Sequence, residues 1–189
     1  MAEFVSGPEF AELFRRFEHT AFRLEPRARY NVSSEIEAYR RFLRGEDPGL
    51  DWIEDWLRTI RTQTRLGKRV ERVRVIDDPP SDYVRFMLWL HPYNIEAGED
   101  IRYLERATAA RAGLPDYDYW LFDSRLVAKF EFTPDDQPIG VYLTDDPAEA
   151  VRHGYWRDVA WHYAEGWERT TRREHQLPSG PGGSWRATA

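Results

Sequence analysis

Asp118-Tyr119-Trp120-Leu121-Phe122-Asp123 is the stretch whose reading decides the fold. It reads as a strand that ends on an acid. Leu126, Ala128, Phe130 and Phe132 then alternate with Val127, Lys129 and Glu131. Pro134-Asp135-Asp136-Gln137 supplies a turn, and Ile139, Val141 and Leu143 bring the chain back, which predicts a hairpin. Asp145 or Asp146 can cap a last helix with Pro147 in its first turn. Ala148, Val151, Tyr155, Val159, Tyr163 and Trp167 fall on one face of that helix, so the pattern predicts aromatic side chains buried against the hairpin. Gly154 marks a point where it bends or splits.

Toward the N-terminus the pattern is helical. Ser6 can cap a first helix with Phe10, Leu13, Phe14 and Phe17 on one face, and residues 21–30 break its period. Ser34-Glu35-Ile36-Glu37 has the form of a capping box, opening a helix that buries Ile36, Tyr39, Phe42 and Leu43 before Gly45 stops it. Asp51 caps a third, with Trp52, Ile53, Trp56, Leu57 and Ile60 as its inner stripe and Gly67 at its end. Three helices thus precede the first clear strand, Arg72-Val73-Arg74-Val75-Ile76, where the period becomes two.

Ser81 starts a helical segment through Tyr83, Phe86, Met87 and Leu90 that Pro92 stops; its β-branched and aromatic content keeps a strand open as the alternative. Residues 94–100 read as a loop, 101–104 as a short strand and 107–115 as a connector. The expected fold is α/β in the broad sense (α+β): a mixed sheet with a C-terminal hairpin, flanked by helices. A single domain is expected over residues 1–176, with helices in 6–66 and the sheet in 68–170. Pro-Ser-Gly-Pro-Gly-Gly predicts a flexible tail at 177–189.

Composition sets the outer bounds. A chain of 189 residues forms one ordinary domain, which buries about two thirds of the surface its unfolded chain exposes. The 8 Trp, 10 Tyr and 10 Phe make a core rich in rings, whose polar tips need partners. The absence of cysteine excludes disulfides, thiolate metal sites and cysteine nucleophiles. No basic and apolar leader opens the chain and no run approaches the roughly 18 apolar residues of a membrane span, so the expected location is the cytoplasm. Lys68 and Lys129 are the only lysines among 27 basic residues, a bias expected of a GC-rich bacterial genome. A net charge of -6 gives no overall attraction to nucleic acid.

Catalytic motifs are few. His19, His91, His153, His162 and His175 form no HExxH-type pair, and His153 and His162 read as surface or interface residues on roughly opposite faces of the last helix. No G-x-S-x-G elbow and no glycine fingerprint for phosphate occurs. The acids carry the remaining chemistry: Asp123 at a strand end, with Glu99 and Asp100 before another, can face a cleft shared with Arg74, Arg85 and Arg102. Acids beside arginines also make purely structural ion pairs. Arg58, Arg61, Arg65, Lys68 and Arg69 offer phosphate contacts, although their helical spacing opposite Trp52 and Trp56 also describes a solvated face.

Phe22-Arg23-Leu24-Glu25, Arg72-Val73-Arg74-Val75, Ser81-Asp82-Tyr83-Val84-Arg85-Phe86, Gly98-Glu99-Asp100-Ile101-Arg102 and Trp120-Leu121-Phe122-Asp123 resemble an uncharacterised family of actinobacterial proteins over about residues 8–170. Its members are encoded near helix-turn-helix regulators, which implies a regulator as partner. Residues 50–168 are distantly similar to phospholipase-D-like domains in the order of elements. Catalytic members of that superfamily carry His-x-Lys-x4-Asp, and no histidine here has lysine two positions on. The resemblance therefore implies a non-catalytic domain, needing no cofactor or metal, that binds a regulator or a small ligand. A homodimer is compatible with this. The alternatives are a phosphodiesterase-like enzyme using Glu99 and Asp123, or direct nucleic-acid binding through the region from Arg58 to Arg74.

Overall fold

In the computed structural model, which describes residues 3–167, the strand that organises the molecule is one the periodicity did not announce. Strand β2 (Thr20–Glu25) pairs in parallel with β3 (Arg69–Ile76) and antiparallel with β5 (Tyr119–Phe122). Ala21, Phe22, Leu24 and Glu25 are all buried, so β2 has a protein layer on both faces and shows no inside-outside alternation. β3 pairs in parallel with β4 (Glu99–Glu105). The predicted hairpin is present as β6 (Leu126–Phe132) and β7 (Pro138–Thr144), antiparallel to each other and joined to β5 through β6. Two short strands, β1 (Glu3–Val5) on β7 and β8 (Glu165–Gly166) on β4, close the ends. Among the described residues the result is one mixed eight-stranded sheet in the order β1-β7-β6-β5-β2-β3-β4-β8, an α+β fold.

Helices cover both faces. On one lie α1 (Gly7–Arg16), α2 (Ile36–Leu43), α3 (Glu54–Arg65) and α4 (Asp82–Glu96); on the other lie α5 (Arg106–Arg111) and α6 (Pro147–Tyr163). Phe14 of α1 meets Trp56, Trp120 and Phe122 edge-on at 5.1, 4.9 and 5.3 Å, the geometry that ring quadrupoles favour. Gly98 makes the turn from α4 into β4 at φ +105; a Cβ there would lie 2.5 Å from Thr64 Oγ1.

Several boundaries differ from the sequence reading. Two strands, β1 and β2, precede the three helices' completion. Ser33–Glu35 forms a 3-10 turn rather than a capping box, and α3 begins at Glu54, three residues beyond Asp51. Helix α4 runs through Pro92 to Glu96: buried Leu88, Leu90, His91 and Asn94 hold the helix, outweighing a proline cost of about 3 kcal/mol. The connector contains α5, and α6 passes Gly154 unbroken. Ser81 and Asp146 do cap, accepting from Val84 N and from Ala148 and Glu149 N.

The inner face of α6 is not the predicted one. Val151, Tyr155 and Tyr163 are 74%, 64% and 53% exposed, whereas Ala150, His153 and Ala160 face the sheet. Small residues let the helix approach closely, and the larger rings flank the contact: Trp161 meets Phe22 edge-on at 6.4 Å. His153 is consequently buried, its Nε2 3.1 Å from the Tyr117 hydroxyl and its Nδ1 2.8 Å from Glu149 O, which corrects its reading as a surface residue. The expected flexible tail lies outside the described residues.

Candidate functional site

Positions two apart on a strand share a face, so Arg23 and Glu25 of β2 point the same way, as do Arg72 and Arg74 of β3. The parallel register places Arg23 beside Arg72 and Glu25 beside Arg74. All four lie under the helices α2 to α4. Glu25 Oε1 is 2.8 Å from Arg23 Nε and 2.8 Å from Arg72 Nη1, and its Oε2 is 3.5 Å from Arg74 Nη1. Arg72 Nε donates to Glu99 Oε1 at 2.7 Å, and Arg23 Nη2 reaches Asp118 Oδ2 at 3.4 Å. Tyr30 donates its hydroxyl proton to the same Asp118 oxygen.

Around this centre the partners are aromatic and neutral. Arg74 has no exposed side-chain surface; its guanidinium lies 4.9 Å from the Tyr30 ring and 5.8 Å from that of Tyr83, and its Nη2 donates to Ala28 O at 3.5 Å. Arg23 lies 4.5 Å from the Phe130 ring. Tyr83 donates to Glu35 Oε1 at 3.0 Å, and His91 Nδ1 is 2.6 Å from the Tyr103 hydroxyl.

Burial and charge set the protonation of these groups in opposite directions. Burial works to raise Glu25, but the Coulombic pull of Arg23, Arg72 and Arg74 holds it far below the usual carboxylate range. Burial prevails at Glu99 and Asp118, which are raised against the opposing arginines. Glu35 is pushed up to about 7 by burial, against the Tyr83 hydrogen bond. His91 is pushed down to about 3, first by burial and then by Arg72, and is neutral near pH 7. Six buried atoms in this cluster make no hydrogen bond: Arg23 Nε, Arg74 Nε and Nη1, Glu99 Oε2, Asp118 Oδ1 and Trp120 Nε1.

Of the predicted ligand residues, Arg74 and Glu99 enter this network. Asp100 and Arg102 lie on the opposite sheet face, 3.5 Å from each other, with Arg102 stacked 3.7 Å over Trp161. Arg85 is exposed on α4, 3.8 Å from Asp82. Asp123, at φ +52, accepts from the backbone N–H groups of Glu18, His19 and Thr20 at 2.9, 2.7 and 2.9 Å, which hold its carboxyl low despite partial burial. Three strand spacings, about 14 Å, separate it from Glu99.

Of the predicted phosphate contacts, Arg58 pairs with Asp55 and Arg61 with Glu54, both at 3.1 Å; Arg65 is exposed. Lys68 Nζ donates to Phe17 O and Arg69 lies 3.9 Å from Glu71. A shallow depression of about 270 Å³ is lined by Ile95, Gly98, Glu99, Asp100 and Ile101. Arg23, Glu25, Asp118, Tyr30, Glu35 and His91 were not singled out from sequence as site residues. The available signal was charge at alternate positions between Phe22 and Leu24 and between Val73 and Val75.

No curated protein matches the chain by sequence. The crystal structure of phosphatidylserine synthase from Haemophilus influenzae Rd KW20 is similar in fold at a TM-score of 0.45 and 14% identity, over 85% of this chain and 37% of that one. The chain thus spans little more than a third of that protein. A family model described as "Domain of unknown function (DUF6879)" matches residues 8–171, and the chain belongs to that family.

Proposed function

We propose that this chain is a non-catalytic binding domain, serving a helix-turn-helix transcriptional regulator as its partner or as its small-ligand sensor in the cytoplasm. The observation that carries the reading is that the ionisable groups on the central strands are engaged with one another. Glu25 is held by three arginines and Asp123 by three backbone N–H groups, so neither is available to shuttle a proton. Glu99, on β4, and Asp123, just past the end of β5, are the pair required by the phosphodiesterase-like alternative and stand about 14 Å apart. Arg58 and Arg61 of α3 are matched by acids of their own helix, which favours a solvated face over a nucleic-acid surface.

The test is to co-express the chain with the helix-turn-helix regulator encoded nearest to it and to capture one through a tag on the other. Stoichiometric recovery that survives washing at high salt is expected. Recovery of neither the regulator nor any ligand-dependent rise in Tm across a panel of small metabolites overturns the reading.

A further inference from the structure

The network around Glu25 is organised as an anion site, and this inference rests on the binding-domain reading by naming the chemistry of the ligand. Three guanidinium groups from two adjacent strands converge on one planar carboxylate and use both of its oxygens. A cluster selected only for stability has little reason to take this form. A buried ion network is commonly no more stabilising than apolar residues of the same volume, and its polar atoms need full hydrogen bonding to compensate desolvation. Here Arg74 Nε and Trp120 Nε1 are buried donors without acceptors, and Arg23 Nε and Arg74 Nη1 meet Glu25 as ion pairs that lack hydrogen-bond geometry. Asp118 Oδ1 and Glu99 Oε2, on carboxylates that pair with Arg23 and Arg72, are also without hydrogen bonds. The strand positions concerned alternate with Phe22, Leu24, Val73 and Val75, which face the opposite layer.

The segment above the network is fastened by polar contacts. Residues 26–32, which leave β2 directly after Glu25, have no helix or strand. Arg27 and Arg29 pair with Asp136 at the hairpin tip at 2.5 and 3.0 Å, Asn31 N donates to Asp136 O at 3.0 Å, and Tyr30 donates to Asp118. Ring packing against the body begins with Tyr30, and the following α2 is anchored separately through Tyr39 and Phe42 on Phe86. Glu25 is the last residue of β2, and the segment that follows starts at Pro26, whose carbonyl accepts from Arg106 Nη1 at 2.8 Å.

We propose that Glu25 is an internal stand-in for a small carboxylate ligand, which takes its place on Arg23, Arg72 and Arg74 when the cover formed by residues 26–32 opens. Removing the stand-in leaves the site to an added carboxylate. Glu25→Ala deletes the carboxyl and the atoms joining it to the chain, a gap that acetate fills, whereas Glu25→Gln keeps the shape and leaves the gap closed.

The experiment follows Tm and circular dichroism of both variants and of the native chain in acetate, in chloride at equal ionic strength, and in inorganic phosphate. Acetate is expected to raise the Tm of Glu25→Ala by about 3 °C or more over chloride, and to leave Glu25→Gln and the native chain unchanged. A Glu25→Ala protein that responds no more to acetate than to chloride, or that stays unfolded in acetate while Glu25→Gln folds, overturns the proposal. A larger response to phosphate than to acetate overturns the carboxylate assignment.

The cover is read separately by trypsin, for which Arg27 and Arg29 are the natural cleavage points. Asp136→Ala is expected to speed cutting there about tenfold, and an unchanged rate rules out the cover. Neither measurement involves the regulator, so failure to capture a regulator and failure of the carboxylate site are distinguishable.

Discussion

Glu35 sits at the start of α2 with one strong partner, the Tyr83 hydroxyl, and its carboxyl titrates about 7 instead of 4.5 because burial disfavours the charged form. The folded chain therefore binds more protons than the unfolded chain between these values, and stability falls as pH rises through that window. Up to about 3 kcal/mol is involved if the whole shift is realised. Denaturant titrations at intervals from pH 4.5 to 8 are expected to show this decline, levelling above about pH 7, and Glu35→Gln is expected to flatten it. Glu25 acts in the opposite sense: held low by its arginines, it contributes stability above its unfolded value that is lost in acid. At the other end of β2, Asp123→Ala strips three N–H groups of their acceptor and is expected to cost about 2 kcal/mol by urea denaturation, with Asp123→Asn costing less.

At the scale of elements, α6 shows why periodicity found the helix and misjudged its face. Val151, Tyr155 and Tyr163 make the more conspicuous stripe, but the sheet is approached by the small Ala150 and Ala160 and the polar His153, which a hydrophobicity count underrates. Tyr155→Glu is accordingly expected to change Tm by less than about 2 °C, whereas Ala160→Leu, overfilling the contact with Phe22 and Leu104, is expected to cost about 2 kcal/mol or more. Strand β2 was illegible for a different reason. Phe22-Arg23-Leu24-Glu25 carries the same alternation as β3, but over only four residues that run straight into Pro26, too short a run to stand out from a loop. Strand β3 was legible because Arg72 and Arg74 imitate an exposed face while pointing inward. The hairpin, whose strands alternate covered and exposed positions on either side of a polar turn, read correctly.

Across the whole molecule, the candidate site joins residues that the sequence keeps far apart. Arg23 meets Asp118 across 95 positions and Arg72 meets Glu25 across 47, so local patterns identify the charges without pairing them. The architecture was accessible from hydrophobic order; the site required the register of β2 on β3. Its coupling is measurable. Arg74→Met alone leaves Glu25 with fewer counter-charges and is expected to cost about 3 kcal/mol, while Glu25→Gln with Arg74→Met is expected to cost less than the two single changes added. A strictly additive result from a double-mutant cycle speaks against a single network.

The central position of β2 also bears on how a newly made chain reaches this state. Its parallel neighbour begins 44 residues after β2 ends and its antiparallel neighbour 94 after, so during synthesis Ala21 to Leu24 emerge from the ribosome well before either partner exists. Until residue 76 has been translated, an apolar strand with two bare edges carries a carboxylate and a guanidinium that have nothing to neutralise them but each other, and its second edge stays bare until residue 122. Chaperones and aggregation compete for the nascent segment over that interval.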